Sequence, residues 1–194
     1  MLVLHAWWGL TAFIERLCDR LAIHGYVAFA PDMHQGLLAT TIDAAKHIMA
    51  ERDESVCNDI AAAALEFFRH HPAVTGAKVG VIGFSMGTDV ALELNRRVPE
   101  AFSAIVLFYG GSWYDLSKFP LPIMGHFAGN DEYEPVNQVQ ALHGDNVTIH
   151  VYPDARHWFF EDDRPEFNAR DAALAWDRTL AFLSGSLSVG RVAG

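Results

Sequence analysis

The chain has 194 residues, 51% of them hydrophobic, enough for one sizeable core, and neither a linker nor a repeat divides it. Its 14 Lys and Arg face 24 Asp and Glu, a formal charge of −10 with no basic cluster, which argues against nucleic acid as a partner because phosphates would be repelled. No charged and apolar leader opens the sequence and no apolar run approaches bilayer length, so no membrane association and a cytoplasmic location are expected.

In chain order, Leu2 to His5 reads as a short strand that runs into a turn holding Trp7 and Trp8. Ile14, Leu17 and Leu21 then repeat at helical spacing until Gly25, and the stretch from Thr41 to His71 reads as one or two helices ended by Pro72. No chemistry is evident in that stretch. A second strand, Val79 to Ile82, meets Gly83-Phe84-Ser85-Met86-Gly87, and Val90, Ala91 and Leu94 continue as a helix. Strand, glycine-flanked serine and helix in immediate succession form a nucleophile elbow: the sharp turn lifts the serine oxygen off the backbone, and the glycines let strand and helix approach. Ser85 is the candidate nucleophile.

A serine hydroxyl needs a histidine to take its proton and a carboxylate to orient that histidine, in the chain order Ser, acid, His for this arrangement. The strand beginning at Leu121 breaks into the turn Gly129-Asn130-Asp131-Glu132-Tyr133-Glu134-Pro135, which presents Asp131 as the acid, with Glu132 and Glu134 as the longer and less suitable alternatives. A further strand, Val147 to Tyr152, leads through a proline turn to a loop carrying His157, the candidate base. His150 lies on a strand face, His143 at a helix end and His5 in the first strand, and these three are read as structural. The amides of Met86, just after the nucleophile, and of Trp7, after the first strand, are the candidate oxyanion donors. The aromatic residues Trp8, Phe84, Trp113 and Trp158 are candidates for an apolar substrate pocket, with Phe159 nearby and about half of such residues expected in the core. A final helix carries Ala173, Trp176, Leu180 and Leu183 at spacings of three and four. Strands alternating with amphipathic helices predict an α/β fold with a mostly parallel sheet. The single domain is placed at residues 1 to 184, followed by a loose Gly-rich tail at 185 to 194. Cys18 and Cys57 are read as reduced and structural, no His, Asp, Glu or Cys cluster has metal-ligand spacing, and no metal or cofactor is implied.

Five collinear segments carry a resemblance: the opening LVLHAWWGL and the helix after it, GFSMG, IVLFYGG, GHFAGNDEYEP, and the C-terminal segment starting HWFFEDDRP. From its first residues to about Leu183 the chain resembles the dienelactone hydrolase family of α/β-hydrolases. That resemblance implies the α/β-hydrolase fold, a triad at Ser85, Asp131 and His157, and oxyanion donors at Trp7 and Met86. It also exposes departures. The best-known members carry cysteine where this chain has Ser85, a glutamate where it has Ala6, and a substrate-holding arginine where it has Glu161. They also have strands ahead of Leu2, so the sheet is expected to be abbreviated at its start, with an open edge that favours a homodimer. The reading is a serine hydrolase of small esters, lactones or thioesters. The alternatives are an acyltransferase or peptidase on the same triad, and a silent binding protein that keeps the scaffold.

Overall fold

The computed structural model describes residues 1–76 and 78–186. Five strands run parallel in chain order, β1 (Leu2–Leu4), β2 (Val79–Phe84), β3 (Phe102–Phe108), β4 (Ile123–Asn130) and β5 (Val147–Arg156). On the outer side of β1 a short extended piece adds a sixth row: Phe29 bridges in parallel to Leu2, and Val3 N donates to Phe29 O at 2.9 Å. Thus β1 is an interior strand, and the edge expected to be open beside it is covered by this piece of the chain.

Among the described residues six α-helices connect and cover the sheet: α1 (Ala12–Ile23), α2 (Ile42–Glu51), α3 (Glu54–Arg69), α4 (Met86–Arg97), α5 (Val136–Ala141) and α6 (Ala169–Ser186). The stretch from Thr41 to His71 therefore forms two helices, capped by Thr41 Oγ1 on Ala44 N and by Asp53 Oδ1 on Ser55 N. Alternation along the strands divides the core into two layers. Val3, Ile82, Phe84, Val106 and Phe108 face α1 and α6, where Phe13, Leu17, Trp176 and Leu183 meet them. Their neighbours Leu2, Leu4, Val81, Ile105 and Leu107 face α3 and α4, packing on Leu65, Phe68, Val90 and Leu94. Helices on both faces make the central strands apolar on both sides, which is why they read as continuous hydrophobic runs.

The chain leaves β1 outward through α1, then returns across it to start β2. The strand order therefore reverses between β1 and β2, and the crevice at the carboxyl ends of these strands is where such sheets bind ligands. Two bounds differ from the sequence reading. β5 continues through Pro153 to Arg156, because as an edge strand it tolerates a proline with no N–H to donate. α6 extends to Ser186, two residues into the segment expected to be a tail, and the rest of that segment lies outside the described residues. Among the described residues no helix is long and apolar enough to cross a membrane.

Candidate active site

The turn after β2 holds Ser85 at φ 47 and ψ −116, a left-handed conformation that a non-glycine residue adopts only where its surroundings enforce it. Here they do. Ser85 N donates to Phe108 O at 2.9 Å, extending the pairing of β2 with β3 into the turn, while Ser85 O accepts from Thr88 N at 2.8 Å and Thr88 Oγ1 at 2.6 Å. The two elbow glycines are required by contact: a Cβ on Gly83 would stand 2.6 Å from Gly87 O, and one on Gly87 would collide with the Leu4 carbonyl. The first turn of α4 is thereby pressed against the end of β1.

With its backbone held, Ser85 directs Oγ toward His157 Nε2 at 3.0 Å. His157 follows β5 directly and is 4% exposed. Its Nδ1 lies 2.9 and 2.8 Å from the two carboxylate oxygens of Asp131, whose side chain is fully buried. Asp131 follows β4, and its Oδ1 also accepts from Tyr133 N at 2.8 Å and Glu134 N at 3.0 Å, so the turn fixes the carboxylate. The Nδ1 proton on the Asp131 side leaves Nε2 as the acceptor for the serine hydroxyl. Three rings pack on the imidazole: Tyr133 at 4.8 Å, Tyr109 at 5.0 Å and Trp158 edge-on at 4.7 Å.

Ser85 opens onto a cavity of about 320 Å³. Trp7 and Met86, the residues assigned to the oxyanion donors, both line it beside the nucleophile, brought together by the contact of α4 with β1. Met86 begins α4, where backbone N–H groups lack helical acceptors. Of the four aromatic residues assigned to the pocket, Trp158 lines the cavity and three do not. Phe84 turns into the α1 side of the core, stacked on Phe108 at 4.8 Å. Trp8 is 1% exposed beneath the Arg164 guanidinium, and Trp113 is 62% exposed on the surface. Phe159 is fully buried in the core.

The opposite wall was not anticipated. Met49, Arg52, Cys57 and Asn58 line it, from the α2 and α3 stretch that showed no chemistry in sequence. Arg52 Nη1 lies 2.6 Å from Met86 Sδ and 3.1 Å from Cys57 Sγ, so the guanidinium reaches across to the residue after the nucleophile. Asp89 and Glu93 also line the cavity. Their signal was available, since positions four and eight after Ser85 fall on one helical face.

The remaining candidates sit elsewhere. Glu132 is exposed near Arg156, and Glu134 is buried, accepting from Ser112 N at 3.0 Å, its carboxyl raised above the usual range by burial. His143 is exposed. His150 stacks on His126, which is buried between Tyr152 Oη and Thr179 Oγ1. His5 accepts from Met33 N at 3.0 Å, and burial pushes it down to about 4. Glu161 is 1% exposed and accepts from Tyr109 Oη at 2.9 Å.

Residues 1–187 match the model of the dienelactone hydrolase family. Protein usf of Aquifex pyrophilus is 30% identical over 204 residues, covering 97% of this chain and 88% of that protein. Carboxymethylenebutenolidase of Pseudomonas putida is 29% identical over 197 residues, with 91% and 81% covered. Among solved structures, the dienelactone hydrolase-like promiscuous phosphotriesterase P91 from metagenomic libraries superposes with a TM-score of 0.76 over 95% of this chain and 85% of its own, at 23% identity. The architecture is that of the α/β-hydrolases.

Proposed function

The chain belongs to the dienelactone hydrolase family and is a hydrolase of the ester and lactone type; we propose that it works through Ser85, His157 and Asp131 on small esters, lactones or thioesters. One observation carries this reading: the unbroken hydrogen-bond chain from Ser85 Oγ through His157 to the buried Asp131 carboxylate, at 3.0 Å and 2.8 Å.

Ser85 Oγ attacks the carbonyl carbon while His157 Nε2 takes its proton, because a serine cannot ionise in advance as a low-pKa cysteine can. Asp131 keeps the proton of Nδ1 in place and stabilises the imidazolium as it forms. The new oxyanion is held by the amides of Met86 and Trp7. As the tetrahedral intermediate collapses, His157 returns the proton to the leaving alcohol or thiol. Water repeats the sequence on the acyl-enzyme, releasing the acid and restoring the Ser85 hydroxyl.

A cavity of about 320 Å³ suits a substrate of modest size, at the lower end of small-molecule sites. With Ala6 and Glu161 at the positions of the departures, nothing supports transfer of the dienelactone substrate itself. A cytoplasmic location remains part of the proposal, whereas the homodimer loses its ground with the covered edge of β1.

The test is covalent labelling by a fluorophosphonate followed by intact mass. One adduct per chain is expected, with Ser85→Ala and His157→Ala both unlabelled. Equal labelling of Ser85→Ala would remove Ser85 from its role, and an unlabelled parent protein would favour the silent scaffold.

A further inference from the structure

Beside the imidazole of His157, buried and outside the lining of the cavity, lies a pair of polar groups that the triad does not use. Tyr109 follows β3 directly, is fully buried and sits at φ 40, a left-handed conformation for a bulky residue. Its N–H donates to His126 O at 2.8 Å, its ring lies 5.0 Å from the His157 ring, and its hydroxyl donates to Glu161 Oε1 at 2.9 Å. Glu161 comes four residues after His157, with its N–H donating to Trp158 O at 3.0 Å and its carbonyl accepting from Arg164 N at 3.0 Å. The turn bearing the base is therefore tied to the end of β3 through one side-chain hydrogen bond. Strained backbone at both ends supports this, because Trp158 also has a positive φ of 65.

We propose that Tyr109 and Glu161 form a positioning pair, in which the buried carboxyl holds the Tyr109 hydroxyl so that the ring backs His157 at its working distance from Ser85. The inference rests on the reading of Ser85 and His157 as nucleophile and base. Neither member of the pair touches the reacting atoms; they act through the imidazole.

The pair works with a protonated carboxyl. Burial raises Glu161 to about 8, with Asp163 and Glu166 pushing in the same direction and the Tyr109 hydroxyl and Arg164 opposing. The Arg164 guanidinium is spread over the Trp8 ring at 3.5 Å. Burial first, and then the charges of Asp163 and of Asp131 at the end of β4, push the Tyr109 phenol upward and keep it neutral. An ionised Glu161 would be a buried anion with one neutral donor, a costly state. Ionisation draws the side chain toward water, releases Tyr109 and loosens the turn that carries His157. Roughly a tenth of the carboxyl stays protonated one pH unit above its midpoint, so the rate should fall about tenfold by pH 9.

The experiment measures the rate of Ser85 phosphonylation by the fluorophosphonate from pH 6 to 10, corrected for probe hydrolysis. The parent protein should show a plateau and then an alkaline fall centred near pH 8. Glu161→Gln keeps an acceptor for Tyr109 but cannot ionise, so it should match the parent rate at pH 7 and keep its plateau to pH 10. Tyr109→Phe should slow labelling about tenfold at pH 7 while still reaching one adduct per chain. A parent rate that stays level to pH 10 overturns the pair whether or not the variants fold, as does a Glu161→Gln profile that falls like the parent's. Absence of labelling at every pH would instead overturn the triad reading on which the pair depends.

Discussion

The two walls of the cavity are held by different means. On one side Ser85 lines the cavity with His157 and Asp131 hydrogen-bonded in line from it; the three follow the ends of β2, β4 and β5, and each is fixed by hydrogen bonds from the backbone or from another member of the group. On the other, Arg52 leaves the end of α2 and spans the gap with contacts to two sulfur atoms, which are weak acceptors. The sheet sets the first wall to within the tolerance of a hydrogen bond, whereas helix packing and one long side chain set the second. Chemistry that needs reacting atoms about 3 Å apart belongs on the first. Discrimination among substrates, which needs only shape and charge, belongs on the second.

If that division holds, Asp131→Asn should have the largest effect of the changes that leave Ser85 and His157 in place. An amide favours the wrong imidazole tautomer, and kcat should fall roughly 10³–10⁴-fold with KM little changed, read on a small chromogenic ester. Gly87→Ala breaks the same wall without removing any catalytic group. Its methyl collides with the Leu4 carbonyl and must push α4 away from β1. A loss of about 100-fold in kcat and a lowered Tm are expected; an unchanged kcat would separate the α4–β1 contact from catalysis. Arg52→Met keeps an unbranched apolar stem and removes the guanidinium with its charge, so it tests the second wall alone. Here kcat should stay within about threefold while KM moves by more than that across a panel of esters, and a kcat loss like that of Gly87→Ala would erase the distinction.

The first wall was legible in the sequence because its signals are local. A serine between glycines at a strand-to-helix junction, an aspartate in the turn ending a strand and a histidine after the last strand are each readable within a dozen residues. The sheet was legible for the same reason, since both faces of β2 and β3 are buried and the runs are continuous. The second wall depends on how α2 and α3 dock, which local periodicity does not report. Arg52 looks in sequence like an ordinary charge at a helix end. The same limit misplaced Phe84, Trp8 and Trp113: an aromatic residue beside a catalytic one in sequence points wherever its strand or turn directs it. For Phe84, strand alternation sets it in the layer of Ile82, one residue before the turn that lifts Ser85. Glu161 was visible only as a departure from the family, and its partner Tyr109 lies 52 positions earlier.

The order of the strands has a consequence for how the enzyme is made. From β2 onward each strand takes its place beside the one before it, so a chain emerging from the ribosome can lengthen its sheet at one growing margin. The elbow serine is in place once β3 has joined. The aspartate arrives after β4, and the histidine only after β5. On the proposed reading, a nascent chain carries its serine through 72 further positions before the histidine that would arm it is made, and reactivity waits for the last strand.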